Sequence, residues 1–182
     1  MIAPNHMRWA AGCWIVTATW LKVPLTPIDL GIATISGLAP DLDTPKSSIG
    51  KKLPFISHPL GMIVGHRGLT HSLLAAALCV FGIVWGIGLQ QSQPLYHLLL
   101  LPFLIGYLSH LIGDMMNPSG VPLLWPYPQR YTFPLICWSY KSPIEFIFTW
   151  LFLGGAIYGW WASGGYALSA VTIKNWGVYL SP

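Results

Sequence analysis

Charged side chains are scarce in this sequence. Asp, Glu, Lys and Arg make up 8% of its 182 residues, whereas hydrophobic residues make up 54%. Ordinary globular proteins carry about 25% charged residues. A chain with so few charges cannot cover its surface with polar groups, so lipid is expected to cover much of it. The ten tryptophans and eight tyrosines fit a protein with two membrane interfaces, where amphipathic rings collect.

Cysteines are few, and dense basic clusters are lacking. Cys13, Cys79 and Cys137 are far apart in apolar surroundings, which predicts buried free thiols and neither a disulfide framework nor a cysteine metal site. The nine Lys and Arg residues are scattered despite a net charge of +4, which argues against a nucleic-acid partner. Neither a G-x-S-x-G elbow nor a Walker loop occurs, so the motifs of serine hydrolases and P-loop enzymes are missing.

Long hydrophobic runs are abundant. Residues 72–89, 95–116 and 143–162 are long enough to cross a bilayer at about 1.5 Å per residue, and residues 7–23 and 27–38 form shorter runs. The first of the shorter runs has only one Arg and a His at its start and no clear cleavage site, which predicts a retained helix. Thr26 and Asp29 predict the capped start of the second. The expected fold is all-α, a multi-pass integral membrane helical bundle of about four to five transmembrane helices.

If the chain crosses the membrane five times, with the run at 27–38 counted as one crossing, the basic residues are divided unequally between the two sides of the membrane. One side holds Arg8, Lys46, Lys51, Lys52, Arg67, Arg130 and Lys141. The other side holds Lys22 and Lys174. The positive-inside rule therefore predicts that the first side is cytoplasmic.

Acidic residues and histidines gather at that same side. The topology brings together eight of them, namely His6, Asp41, Asp43, His66, His71, His110, Asp114 and Glu145. His58 and His97 stay outside the set, and Asp29 falls on the opposite side. Ionisable groups at a membrane edge are costly, so a cluster of them predicts a functional site at the cytoplasmic-side helix ends.

The spacing within this set fits metal binding. His110 and Asp114 are four residues apart on a helix and share one face. Asp41 and Asp43 are expected in an extended segment that points both to one side, where they would repel without a cation. Histidine with carboxylate favours zinc, with manganese or iron as alternatives, over calcium or magnesium. The set is too large for one tetrahedral ion, so we expect a divalent metal cofactor of two ions.

Several neighbouring residues suit catalysis at such a centre. Arg67 and Lys46 are placed to hold a phosphate, and Arg67 is expected to neutralise developing charge. Asp43, Asp114 or Glu145 can serve as general base in place of acting as a ligand. The candidate catalytic residues are therefore Arg67, Asp43 and Glu145. The hydroxyls of Thr44, Thr70 and Ser72 are predicted to orient ligands or to cap a helix.

The stretches "LAPDLDTPKSSIGKKL", "GHRGLTHSLL" and "GYLSHLIGDMMNPSGVPLLWP" resemble the YdjM-type family of membrane-bound, metal-dependent hydrolases of bacteria. Some of its members are described as LexA-regulated inner-membrane proteins. The resemblance covers roughly residues 6–150 through an early His, P-D-x-D, G-H-R-x-x-T-H-S and H-x-x-x-D-x-x-x-P-x-G. The matching positions are His6, Asp41, Asp43, His66, Arg67, His71, His110 and Asp114, while Glu145 follows a looser stretch. The length fits one membrane-embedded domain over residues 1–182, with a core at 6–162 and an apolar tail at 163–182. The resemblance implies that this domain is hydrolase-like and lies in the bacterial inner (plasma) membrane.

Three functions compete. The favoured hypothesis is an integral inner-membrane hydrolase that cleaves a phosphoester through metal-activated water, with membrane lipids around it and a phospholipid or lipid-linked phosphate as substrate. A metal transporter is an alternative, although its polar residues should span the full depth of the membrane. A membrane scaffold or regulatory protein with a structural metal is another, although structural zinc is usually closed by four ligands that often include Cys.

Overall fold

A computed structural model describes residues 1–64, 67–88, 99–133, 137–139, 141–167 and 169. Its α-helices are α1 (Ala3–Leu21), α2 (Pro27–Ser36), α3 (Pro54–Val64), α4 (Leu73–Gly88), α5 (Leu101–Met115) and α6 (Pro143–Ala162). Two short 3₁₀ helices cover Ala39–Asp43 and Leu69–His71. Across these described ranges the strand-like pairing is limited to an isolated antiparallel bridge between Val121 and Tyr131. The predicted all-α class is confirmed.

The hydrophobic runs of the sequence correspond to helices. α6 matches the run at 143–162, and α4 covers all but the first and last residues of the run at 72–89. α1 starts four residues before the run at 7–23. α5 lies within the run at 95–116, of which residues 95–98 are outside the described residues. Within the described ranges, α6 alone is long and apolar enough to cross a membrane, while α2 and α4 are apolar but shorter. The 15 residues of α5 are too few for that criterion.

Helix starts follow the local chemistry of the sequence. The Thr26 hydroxyl accepts a hydrogen bond from Asp29 N at 3.3 Å, and the Asp29 carboxylate accepts one from Thr26 N at 3.0 Å. This reciprocal capping box confirms the predicted start of α2. Ser72 accepts from Ala75 N at 3.2 Å, which confirms its predicted role as a cap of α4.

Helix α1 lies at the centre of the packing and contacts α2, α5 and α6. Trp14 and Ala18 of α1 pack with Ala33 of α2, and the Trp14 indole donates to Asp29 at 2.9 Å. A Cβ atom at Gly106 of α5 would lie 2.1 Å from the Ala33 carbonyl oxygen, so only glycine permits this approach of α5 to α2. The close packing brings the start of α1 to the same end of the bundle as the ends of α2 and α5.

Helix α3 was not predicted, because its residues read as part of a Pro- and Gly-rich loop. It packs through its small residues against the first 3₁₀ helix. Ser57 is fully buried, and a Cβ at Gly61 would lie 2.7 Å from the Asp43 carbonyl oxygen. Its large apolar side chains point outward, with Phe55 92% and Met62 81% exposed. α3 is therefore a short helix whose apolar face lacks a protein partner among the described residues.

The prediction of buried cysteines was wrong. All three described cysteines are free, as expected, but Cys79 and Cys137 are exposed and Cys13 is only partly buried. Apolar neighbours in the sequence indicate burial only when the protein interior is the sole apolar medium. Cys13 and Cys79 lie on helices whose outward faces are apolar too, and Cys137 lies outside the helices.

Candidate metal centre

Five side chains from four separate segments meet at one end of the bundle. His6 comes from the first turns of α1, Asp41 from the first 3₁₀ helix, His71 from the second, and His110 and Asp114 from the end of α5. His6, His71, His110 and Asp114 are at most 2% exposed, while the side chain of Asp41 is 22% exposed. The structure thus brings these predicted ligands together, as the helix ends of the hydropathy topology indicated.

Four of their atoms lie close to one another. His71 Nε2 lies 3.3 Å from His110 Nε2 and 3.8 Å from both Asp41 Oδ1 and Asp114 Oδ2. His110 Nε2 lies 3.8 Å from Asp41 Oδ1 and 3.9 Å from Asp114 Oδ2. Zinc bound tetrahedrally at about 2.0–2.1 Å has ligand atoms roughly 3.3–3.4 Å apart. Five of the six distances among these four atoms, called the quartet below, are 3.3–3.9 Å, and Asp41, His71 and His110 form a potential three-residue ligand group within the quartet.

Both histidines of the quartet are held by their other ring nitrogen. His110 Nδ1 lies 2.7 Å from the Gly37 carbonyl oxygen at the end of α2. His71 Nδ1 lies 3.3 Å from Asp43 Oδ2. Histidines that bind metals almost always donate their second N–H to a carbonyl or a carboxylate, which fixes the ring and the tautomer. Since a carbonyl only accepts hydrogen bonds, His110 carries its proton on Nδ1 and turns a lone pair on Nε2 toward the quartet.

Asp43 lies behind His71 and does not join the quartet. Its Oδ2 accepts from Thr70 Oγ1 at 2.5 Å and from Arg67 N at 3.0 Å, and its Oδ1 accepts from Thr44 Oγ1 at 2.8 Å. The expectation that Asp41 and Asp43 share one side was wrong. Residues two apart in a 3₁₀ helix, with about three residues per turn, point in different directions, whereas an extended segment would have aligned them. Asp43 is thereby placed to orient a ligand, as are the two threonines.

The two carboxyls of this 3₁₀ helix have opposite electrostatic environments. Burial raises the pKa of Asp41, against the opposing effect of the nearby histidines. Burial alone would also raise the pKa of Asp43, but the hydrogen bond and charge of His71 and the two threonine hydroxyls together lower it. Asp43 is therefore a stable anion that favours the His71 ring with its proton on Nδ1.

Asp114 connects the quartet to a further ligand. Its Oδ2 is the quartet atom, and its Oδ1 lies 3.2 Å from His6 Nε2 and 2.6 Å from the Met1 nitrogen. The His6 ring stacks on the His110 ring with centroids 3.7 Å apart. His6, His110 and Asp114 form a second group of potential ligand atoms that shares two residues with the quartet. Because His110 offers only Nε2, a second ion would rest on His6 and the bridging Asp114 carboxylate.

The other predicted site residues lie around this centre or apart from it. Arg67 Nη2 is 2.9 Å from Asp114 Oδ2, so its guanidinium touches the quartet. Glu145 is fully buried at the start of α6, accepts from Ile2 N at 2.8 Å and Asn5 Nδ2 at 2.6 Å, and belongs to neither ligand group. Its second oxygen has no hydrogen-bond partner among the described residues. Lys46 is exposed, and His66 lies outside the described residues.

Sequence reasoning missed two contributors to the site. The Gly37 carbonyl that holds His110 is a backbone group, and no side-chain motif signals it. Ser119, whose hydroxyl accepts a short hydrogen bond from Arg67 Nη1, was visible only within "NPSG", which reads equally well as an ordinary turn.

Comparison with known proteins gives concordant results. The family model described as "YdjM inner membrane protein" matches residues 1–180. The chain is 35% identical over 150 residues to each of two proteins named "Inner membrane protein YdjM", from Escherichia coli (strain K12) and Shigella flexneri, covering 75% of this chain and 71% of each relative. It is 33% identical over 101 residues to "Uncharacterized protein YvsG" of Bacillus subtilis (strain 168), covering 56% of this chain and 59% of that protein. No solved structure matches the chain.

Proposed function

The chain belongs to the YdjM inner membrane protein family, as its motifs predicted, and we propose that it is an integral membrane, metal-dependent hydrolase of phosphoesters. Membership of this family supports a location in the bacterial inner membrane. The observation that carries the enzymatic proposal is the quartet of two imidazole nitrogens and two carboxylate oxygens. The two nitrogens lie 3.3 Å apart, and each lies 3.8–3.9 Å from both oxygens.

The donor set fits zinc, with manganese or iron as alternatives. Four buried or half-buried polar side chains facing one another are costly without a cation between them. Imidazole and carboxylate together suit these metals, and the Asp43 and Gly37 contacts supply the orienting groups that such histidines need. When bound, the metal supplies Lewis acidity and lowers the pKa of a coordinated water. His71, His110 and Asp41 would hold the first ion, with His6 and Asp114 as ligands to a second.

The protein groups around the quartet divide the remaining work. The Arg67 guanidinium, anchored on Asp114, binds the anionic phosphoryl group and neutralises its developing charge. Asp43 keeps the His71 ring in one orientation through its contact with Nδ1. Asp41 is the quartet carboxylate with the most solvent access, which supports an approach of water from its side. Glu145 anchors the start of α1, and with it His6, through Ile2 and Asn5.

An open site favours hydrolysis over a purely structural metal. A structural zinc is closed by four protein ligands, whereas Asp41, His71 and His110 form a three-residue ligand group, which leaves a position for water. Asp41 and Arg67 also have 22% and 19% of their side chains exposed. A transport path is less well supported, because α4 carries no acidic or basic residue and Glu145 is the only one in α6.

The substrate is proposed to be a lipid or a lipid-linked phosphate. In a multi-pass arrangement with about four to five crossings and the basic loops in the cytoplasm, the centre lies level with the lipid headgroups. Helix α3 supports this depth, because it packs on Asp43 through Gly61 and turns Phe55 and Met62 outward. A short helix with an exposed apolar face suits insertion at the membrane interface.

Metal content measured by mass spectrometry on detergent-purified protein tests this function. We expect about one to two Zn, Mn or Fe ions per chain in the wild type and a loss of metal in the Asp41→Ala/His110→Ala double variant. His58→Ala is the matched control, because His58 is exposed and lies in neither ligand group. The metal-loaded wild type is then expected to hydrolyse members of a panel of lipid phosphoesters. A wild type that binds no metal, even after reconstitution with each ion, would contradict the proposal.

A further inference from the structure

We propose that an open depression beside Arg67 is the subsite for the anionic phosphoryl group of the substrate. This inference rests on the proposed function and deepens it. The depression has a volume of about 420 Å³ and is lined by Arg67, Asn117, Pro118, Ser119 and Ser139. It therefore offers a guanidinium, an amide and two hydroxyls, and none of these lining residues carries a carboxylate.

Arg67 joins this depression to the quartet. Its Nη2 lies 2.9 Å from Asp114 Oδ2, while its Nη1 donates to the Ser119 hydroxyl. A guanidinium has five N–H donors, and these contacts use one on each terminal nitrogen, which leaves three for a ligand. Planar arrays of such donors match the oxygens of a phosphate. A phosphoryl group bound here would lie next to the quartet.

The backbone of Arg67 is held in an unusual conformation. Its φ is 57°, in the left-handed region that non-glycine residues rarely adopt, and its N–H donates to Asp43 Oδ2 at 3.0 Å. Arg67 is thus tied to the centre at both ends, through Asp43 at its backbone and through Asp114 at its side chain. Such outliers persist where the surroundings determine them, and they cluster at binding sites.

A second guanidinium lies on the same turn. Arg130 Nη1 is 3.5 Å from both the Ser119 and the Gly120 carbonyl oxygens, so Ser119 has one arginine on its hydroxyl and another on its backbone. The turn is fixed by the bond from Gly120 N to the Asn117 carbonyl oxygen at 3.1 Å and by the bridge between Val121 and Tyr131. Two positive charges beside a pair of hydroxyls favour an anion at this place.

Binding calorimetry on the full chain in detergent, with and without zinc, tests the subsite. The probes are inorganic phosphate and short-chain phosphatidic acid. Arg67→Lys keeps the charge but loses the fork, and Ser119→Ala/Ser139→Ala removes both hydroxyls without touching the quartet. We expect about tenfold weaker binding in each. Ser163→Ala, at the far end of α6, is the matched control and should bind like the wild type.

The possible results separate the subsite from the metal function. Equal weakening for both probes supports a general phosphoryl site, and binding of the lipid alone, weakened in the variants, supports a headgroup site. Binding that requires zinc and is unchanged in both variants overturns the inference, as does a metal-loaded wild type that binds neither probe. Weakened binding in a protein that takes up no metal leaves the subsite standing and rejects the metal-dependent hydrolase.

Discussion

Replacing Asp43 by Asn separates a residue that orients a ligand from one that binds the ion. Asp43 Oδ2 accepts from Thr70 Oγ1, Arg67 N and His71 Nδ1, and Oδ1 accepts from Thr44 Oγ1. An asparagine can keep its carbonyl oxygen toward the first three donors. Its amide nitrogen then faces Thr44, whose hydroxyl can rotate to accept. Asp43→Asn therefore preserves these four contacts and removes mainly the negative charge.

The expected effect on metal affinity is moderate. The charge of Asp43 makes the His71 imidazole a stronger donor to the metal through its Nδ1 proton. Loss of such an outer partner typically weakens metal binding by about 10–100-fold, which corresponds to roughly 1.4–2.7 kcal/mol. Competition titration of zinc against a chromophoric chelator in detergent measures this change directly. The melting temperature of the zinc-free variant should stay within a few degrees of the wild type if the hydrogen bonds persist.

Asp41→Asn is the matched variant, because it makes the same chemical change two residues away in the same 3₁₀ helix. Asp41 Oδ1 belongs to the quartet, so its loss should reduce metal binding far more than the loss of the Asp43 charge. Equal and complete loss of metal in both variants would mean that Asp43 is itself a ligand, as its position in P-D-x-D first suggested. Wild-type affinity in Asp43→Asn would refute the role assigned to the His71 contact.

Two further predictions concern the scaffold and its depth in the membrane. Gly106→Ala places a Cβ 2.1 Å from the Ala33 carbonyl oxygen, so α5 must move away from α2, and we expect a melting temperature lower by roughly 2–12 °C in detergent. Gly154→Ala, where a Cβ meets nothing within 4 Å, should leave it unchanged, and equal shifts would refute the close approach. Ile63 on α3 is 84% exposed, and Ile63→Asp should lower stability in lipid nanodiscs by about 1–2 kcal/mol, since charge is costly in lipid. Ser48→Asp, at an exposed polar position, is its control, and an unchanged Ile63→Asp protein would place α3 in water.

The ends of the helices were predictable from sequence because hydropathy and capping are local. Thr26 and Asp29 form the expected box, and α6 has the expected bounds. The convergence of His6, His110 and Asp114 was predicted from the expected multi-pass topology alone, since such a bundle would place the helix ends of one side together. Periodic, apolar segments of this length contain most of the information that the fold requires.

The internal arrangement of the site was not predictable in the same way. Whether Asp41 or Asp43 faces the ligands depends on the 3₁₀ turn of Ala39–Asp43, and P-D-x-D permits both an extended and a turned backbone. The role of Gly37 depends on the distance between α2 and α5, which is set by the small Gly106. Such features arise from tertiary contacts and leave no periodic trace in the sequence.

The location of the polar residues explains how so few charges can serve both the fold and the proposed metal centre. Buried ionisable groups are tolerated when each has a partner, and here Asp114 contacts His6, Arg67 and two quartet atoms at once. The same contacts lie at the point where α1, α5 and both 3₁₀ helices meet. An ion at the quartet would therefore also connect these segments, so metal binding should stabilise the folded bundle in proportion to its affinity. Because the ionisable groups are gathered at one end of the helices, the site ties the helices together there. The remaining helix surfaces can then stay apolar.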